Sequence, residues 1–199
     1  MGETEQLPAW KLRARAKRAV QATLIPAEWR LRSIPDFTNA RDYIRTSGIL
    51  SPTELAITEI TDARVLQKNI QSGELSALTV ATAYCKRAAI AQQLTGCLTE
   101  IFFERALARA KELDEVFEKE GRVTGPLHGI PISFKDNYDV EGVDSTIGWV
   151  GLIGKPAPRN SLGVDMVLRL GAVIYVKTNI PQSLMVSLTP IEENTCSRT

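Results

Sequence analysis

The chain has 199 residues, of which 44% are hydrophobic and 24% charged, a balance typical of a globular domain with enough apolar side chains to form a core. Its 24 Lys and Arg residues nearly cancel 23 Asp and Glu, so the charge gives no argument for nucleic acid or an anionic membrane as a partner. No apolar run approaches the roughly 18 residues that span a bilayer, and no signal-peptide core is present, so we expect a soluble, cytoplasmic protein with no membrane span.

The cysteine and histidine content argues against a metal site or a redox centre. Cys85, Cys97 and Cys196 are not arranged as C-x-x-C. The single histidine, His128, excludes zinc sites with two or more histidines, and the H-E-x-x-H pattern of metalloproteases, within this chain. We therefore expect neither metal nor cofactor, and we expect any catalytic base to be a residue other than histidine.

The N-terminal part of the chain is predicted to be helical and irregular. A short helix over residues 8–22 is followed by a stretch broken by Pro26 and Pro35. We assign residues 1–60 to an N-terminal helical arm and residues 61–199 to the main domain.

Three helices are predicted next. Thr61 caps the first, which ends at Ser72-Gly73, and the second runs over about residues 77–94. The third is taken to include the segment LTEIFFERALARAKELD, residues 98–114, and to end at Gly121. Apolar residues recur in it at steps of three and four, which places them on one helix face: Phe103, Ala106, Ala110, Leu113 and Phe117.

After Gly125 the pattern changes to strands. GIPISF, residues 129–134, is typical of a buried strand, a helix is predicted from Ser161 to about residue 170, and AVIYV, residues 172–176, is a second apolar strand. The order strand, helical crossover, strand is typical of a parallel βαβ unit. We therefore predict an α/β fold with helices around a mixed, largely parallel sheet. The glycines at 148–154 do not form G-x-G-x-x-G, so nucleotide binding is not predicted.

Two lysines, Lys135 and Lys177, stand at the carboxyl ends of these predicted strands. Functional groups of open α/β sheets collect at this edge. A partly buried lysine loses the hydration of its charged form, so its pKa falls and the neutral amine can accept a proton from a serine. A lysine at a strand end can also lie in water as an ordinary solvated charge, and the spacing alone favours this second interpretation.

Longer stretches around the two lysines resemble a known family. GPLHGIPISFKDNYDVEGVDSTIG, residues 125–148, and VLRLGAVIYVKTNIPQSLM, residues 167–185, are similar to the amidase signature family, in particular to fungal acetamidase-like and general amidases. IPAEWRL and TSGILSPTELAITE, in the N-terminal part, also resemble that group, so the resemblance covers nearly the whole chain. It implies the amidase signature fold, and hydrolysis of a linear carboxylic amide to an acid plus ammonia or an amine, without a cofactor.

The resemblance also implies a catalytic arrangement. In this family, a lysine at the position of Lys135 activates a serine through a second, bridging serine, which gives a Ser–cis-Ser–Lys triad without histidine. Asp136 and the segment 145–148 match the family pattern and are expected to support the site. Met185 matches a region that approaches the substrate channel in fatty acid amide hydrolases, so it is a candidate substrate-binding residue. We expect a small-molecule amide and no nucleic acid as the partner, and the oligomeric state, with a homo-oligomer among the alternatives, stays open.

One part of the family pattern is missing from the sequence. The two family serines lie in a Gly/Ser-rich stretch of the form G-G-S-S-G-G shortly after the region of Met185, and no such stretch precedes Thr199. We therefore expect residues 61–199 to be the N-terminal part of an amidase domain, a fragment that is inactive by itself. Ser133, whose side chain leaves the strand on the same face as that of Lys135, is a minor alternative nucleophile. The rival interpretation is a non-catalytic amidase remnant or an interaction module.

Overall fold

The computed structural model describes residues 7–34, 36–37 and 39–185, so Pro35, Cys196 and Thr199 lie outside the described residues. Within the described ranges lie seven α-helices: α1 (Ala9–Thr23), α2 (Ala40–Thr46), α3 (Pro52–Thr58), α4 (Ala63–Gln71), α5 (Ala77–Thr95), α6 (Phe103–Glu120) and α7 (Leu162–Arg169). The same ranges hold three strands: β1 (Leu98–Ile101), β2 (Pro131–Lys135) and β3 (Val173–Thr178). None of the helices described is long and apolar enough to cross a membrane.

The three strands form one mixed sheet in the order β1–β3–β2. β3 runs parallel to β2 and antiparallel to β1. Because α7 lies between β2 and β3 in the chain, the predicted parallel βαβ unit is confirmed, and so is the α/β fold with helices around a mixed sheet. β3 is the central strand, which explains why four of its six residues are buried.

The prediction that residues 98–101 begin a helix is wrong, because these residues form β1. A strand of four residues carries little periodicity, and its partner β3 lies far along the chain, so the local pattern could not reveal it. The apolar face predicted for the following helix is confirmed in α6. Four of its five residues are buried against α5 and the sheet, and the fifth is partly exposed: Phe103, Ala106, Ala110, Leu113 and Phe117.

Three other predicted helices agree with the structure to within one residue at either end, as α1, α5 and α7. The start of α4 differs from its prediction. Asp62, and not Thr61, is the N-cap, and its carboxylate accepts a hydrogen bond of 2.9 Å from the Arg64 N–H. Asp and Thr are both favoured at an N-cap, so the sequence could not separate two adjacent candidates.

Helix α1 is fastened to the edge of the sheet by polar side chains. Arg13, Lys17 and Gln21 lie four residues apart, which places them on one helix face. The Arg13 guanidinium donates a hydrogen bond to the carbonyl of Ile153, and the Gln21 amide donates to the carbonyl of Leu98 at 3.2 Å. Through these contacts α1 packs on the edge of the sheet at which β2 and β3 end.

Candidate functional site

The two lysines at the carboxyl ends of the parallel strands differ in their surroundings. In the sheet register, Lys135 of β2 is paired with Thr178, and Lys177 of β3 is paired with Phe134. The Lys135 side chain is exposed, whereas Lys177 is completely buried. The burial expected of a catalytic lysine is therefore found at Lys177, while Lys135 lies at an open edge of the sheet.

Lys177 makes three polar contacts in the interior. Its Nζ donates hydrogen bonds of 2.7 Å to the carbonyl of Asp144 and 2.8 Å to Oγ of Ser145, and it lies 3.3 Å from Oδ1 of Asp136. Burial lowers the pKa of Lys177, and the adjacent Asp136 carboxylate opposes that shift. These three acceptors match the three N–H groups of an ammonium ion.

Asp136 is the counter-ion of Lys177 and is also completely buried. Its carboxylate accepts hydrogen bonds of 2.9 Å from the hydroxyl of Thr99 in β1 and 2.9 Å from the hydroxyl of Thr146. The backbone N–H of Ile147 donates a further bond of 2.8 Å. The carboxylate thus joins β1 and the end of β2 to the loop that follows β2.

The loop at residues 144–148 holds an unusual backbone conformation. Ile147 has a φ of 51° and Gly148 a φ of 73°, both in the left-handed region. A Cβ at Gly148 would come within 2.9 Å of the Gln182 Cα, so only glycine fits against the turn that follows β3. The Ile147 carbonyl accepts a hydrogen bond of 3.1 Å from the Ser183 N–H, which ties the loop to this turn. Met185 follows the turn and is 74% exposed.

A second group of charged side chains lies beside this network, and its cation is Lys17, which was not among the site residues predicted from the sequence. Lys17 of α1 lies 2.5 Å from Oε1 of Glu100 and 2.9 Å from Oδ2 of Asp144. Burial raises the pKa of Glu100, and Lys17 only partly offsets it. Burial would also raise the pKa of Asp144, but the Gly154 N–H and Lys17 outweigh it, and the pKa is lowered.

The described residues bring one serine and one lysine into hydrogen-bond contact at the sheet edge, and this pair is Ser145 with Lys177. It lacks the arrangement of a nucleophile with its base, because Nζ of Lys177 lies 3.3 Å from the Asp136 carboxylate and the Ser145 hydroxyl donates to the carbonyl of Tyr138 at 3.3 Å. Ser133, the alternative nucleophile, is exposed and lines the same cavity as Tyr175.

The lysines and Asp136 lie within a stretch that matches a known family. Residues 79–193, more than half of the chain and including the whole sheet, match the family model described as Amidase. The chain belongs to the amidase family. The resemblance identified from the sequence is thereby confirmed, and Lys135, Asp136 and Lys177 are residues of an amidase domain.

Fungal amidases are among the similar proteins. The acetamidase of Emericella nidulans is 46% identical over 178 residues, which cover 89% of this chain and 32% of that protein. An amidase of Gibberella moniliformis is 47% identical over 185 residues, which cover 89% of this chain and 35% of that protein. The chain thus spans about a third of the length of the curated relatives that it matches.

Solved structures of amidases share the arrangement of helices and strands. A fatty acid amide hydrolase is similar with a TM-score of 0.82 and 34% identity, over 89% of this chain and 32% of that one. The peptide amidase from Stenotrophomonas maltophilia is similar with a TM-score of 0.58 and 32% identity, over 63% of this chain and 26% of that one. The chain therefore has part of the amidase signature fold, as the sequence predicts.

The network around Lys177 was only partly accessible to sequence reasoning. The position of Lys177 at a strand end was visible, but its burial depends on the 144–148 loop, which folds over it from a distant part of the sequence. Thr99 was missed because it lies in β1, which was assigned to a helix. The signal available in the sequence was an acidic residue directly after β2 and a lysine near the carboxyl end of β3.

Proposed function

We propose that this chain supplies the general base of an enzyme that hydrolyses linear carboxylic amides to an acid plus ammonia or an amine. The base is Lys135. The observation that carries the proposal is the position of Lys135 at the carboxyl end of a parallel strand, next to the buried Asp136, within a matched amidase domain. The name of the Emericella nidulans relative, acetamidase, makes acetamide the first substrate to test.

In the proposed mechanism, the Lys135 amine takes a proton from a bridging serine, which takes one from the nucleophilic serine. The nucleophile attacks the amide carbonyl carbon, the C–N bond breaks, and the leaving nitrogen receives the proton. Water then hydrolyses the acyl-enzyme, releases the acid and restores the serine. The 199 residues contain no Gly/Ser-rich stretch of the kind to which the resemblance assigns these serines, so we propose that both serines are supplied from outside this chain and that the chain alone is inactive.

Met185 is proposed to lie beside the substrate, since it follows the turn packed on the 144–148 loop and exposes most of its side chain. The division into an arm at 1–60 and an amidase part from residue 61, the cytoplasmic location and the oligomeric state stay predictions of the sequence. The rival function, a non-catalytic amidase remnant, is decided by the same experiment as the main proposal.

The test uses a hybrid enzyme, defined as residues 1–185 of this chain continued by the corresponding C-terminal part of the Emericella nidulans acetamidase. Ammonia release from acetamide is measured for the hybrid enzyme and for Lys135→Ala. We expect the substitution to lower kcat by about 10²–10⁴-fold, the usual contribution of a positioned base. Lys119→Ala, at an exposed position of α6, is the matched control and should be fully active. A hybrid enzyme that is active and unaffected by Lys135→Ala would contradict the proposal, and a folded hybrid enzyme without activity would favour the remnant.

A further inference from the structure

We propose that Lys177 is a positioning residue for Lys135. Its buried ammonium group, paired with Asp136, fixes the end of β2 and the 144–148 loop in the geometry that directs the Lys135 side chain. This inference rests on the proposed function, because it concerns the orientation of the proposed base.

The ion pair of Lys177 and Asp136 lies in the protein interior. Lys177 and Asp136 are both completely buried, and their charged atoms lie 3.3 Å apart. A buried charge is tolerated only when it is paired and hydrogen-bonded, and both groups meet that condition through neighbouring hydroxyl, carbonyl and backbone N–H groups. Removing one partner would leave the other charge uncompensated in the interior.

Asp136 is the chain neighbour of Lys135 and constrains the end of β2. Asp136 directly follows the last residue of β2 and is buried, whereas Lys135 is exposed, so the two neighbouring side chains lie on opposite sides of the chain. The backbone N–H of Asp136 donates a hydrogen bond of 3.1 Å to the carbonyl of Thr178, which continues the pairing of β2 with β3 beyond Lys135. The backbone at Lys135 is therefore held in two ways: by the backbone hydrogen bond to Thr178, and by the buried side chain of the next residue, Asp136.

Lys177 also binds the 144–148 loop directly. Its Nζ holds the carbonyl of Asp144 and the hydroxyl of Ser145, while Asp136 holds the Thr146 hydroxyl and the Ile147 N–H. Both members of the ion pair thus bind the same short segment. Loss of the pair would release the loop and the end of β2 together, and a misplaced base costs rate even when no reacting group has been removed.

The test separates positioning from general stability by using two substitutions. Lys177→Met removes the ammonium group and leaves Asp136 as a lone buried charge. Lys177→Met combined with Asp136→Asn removes both charges, so no unpaired charge remains buried and the protein is expected to fold. Lys119→Met, on the exposed part of α6, is the matched control.

The first readout is kinetic and uses the hybrid enzyme. We expect kcat per folded molecule to fall at least about 10-fold in the double variant, with KM changed by less than about threefold, because positioning affects the chemical step more than binding. The control should match the unsubstituted enzyme. Unchanged kcat in the folded double variant would overturn the inference, as would an increase in KM with kcat retained.

The second readout does not depend on activity. Hydrogen exchange in the 199-residue chain should be faster by at least about 10-fold at the Ile147 amide in the double variant, while amides of α5 keep their protection. Ser145→Ala, which removes one acceptor and no charge, should give a smaller increase at the same amide. Unchanged exchange at Ile147 in both variants would overturn the inference even if Lys135 is the base. Faster exchange with an inactive hybrid enzyme would support the structural link and count against the proposed function alone.

A competing explanation is that Ser145 and Lys177 form a nucleophilic pair of their own. A serine-directed fluorophosphonate should then label Ser145 in the 199-residue chain, and Lys177→Met should abolish the labelling. We expect no labelling of Ser145, and specific labelling that depends on Lys177 would overturn the inference.

Discussion

His128, the only histidine of the chain, should make the stability of the fold depend on pH. Its side chain is 1% exposed, and its Nδ1 accepts a hydrogen bond of 3.1 Å from the backbone N–H of Thr124. A nitrogen that accepts this bond cannot also carry a proton. Burial lowers the pKa of His128, and Arg109 lowers it further, while Asp114 opposes the shift.

The direction and the size of the effect follow from the lowered pKa. In the unfolded chain, histidine has a pKa of about 6.5, so as the pH falls the unfolded state binds the proton first. The stability contributed by the neutral ring is complete above about pH 6.5 and is lost as the pH falls through the folded-state pKa. One proton changes the free energy of unfolding by at most about 1.4 kcal/mol per pH unit.

The assay is urea unfolding, followed by tryptophan fluorescence between about pH 7.5 and 5, a range in which histidine is the side chain that ordinarily titrates. His128→Asn is the comparison, because its Oδ1 can accept the bond from Thr124 but does not titrate. We expect this variant to be less stable at pH 7.5, since it fills less space, and to lose less stability on acidification than the natural chain. Equal pH slopes for the two proteins would refute the reasoning.

Three further predictions concern packing and activity. Gly171→Ala should destabilise the fold by about 1–3 kcal/mol in urea unfolding, since a Cβ would lie 2.7 Å from the Thr124 hydroxyl at a φ of +94°. Gly142→Ala, also at positive φ but with nothing within 4 Å, should cost less, and an equal cost would show that crowding is not the cause. Leu113→Ala should lower the free energy of unfolding by about 2–5 kcal/mol, because Leu113 is fully buried. Leu162→Ala should lower it by less than about 0.5 kcal/mol, because Leu162 is 77% exposed. The reverse order would contradict the assigned core. The 199-residue chain alone should release no ammonia from acetamide, and turnover that disappears on substitution of a serine within it would contradict the need for outside serines.

Elements that are determined locally could be predicted from the sequence. The apolar face of α6 and the apolar strand before Lys177 each carry a periodicity that depends only on neighbouring residues. The parallel pairing of β2 with β3 followed from the order strand, helix, strand, because a helical crossover brings the chain back to start the next strand in the same direction. β1 could not be predicted in this way, because its four residues are specified by pairing with β3 rather than by their own pattern.

The site was predictable in position but not in its electrostatics. The sequence places Lys135 and Lys177 at one edge of the sheet, and both are found there. It gave no means of deciding which lysine is buried, since burial depends on the 144–148 loop and on β1, both distant in the sequence. The contact of Lys17 with Glu100 is equally long-range, because it joins α1 to a strand that follows five helices.

The most direct test of the account is Lys135→Arg in the hybrid enzyme, with acetamide as substrate. Arginine keeps the positive charge but, with a pKa above about 12, cannot give up its proton in a protein. If Lys135 is the general base, Lys135→Arg should fold normally and be nearly as inactive as Lys135→Ala, with kcat reduced about 10²–10⁴-fold. If Lys135→Arg keeps a tenth or more of kcat, Lys135 contributes only its charge, and the proposed mechanism is contradicted.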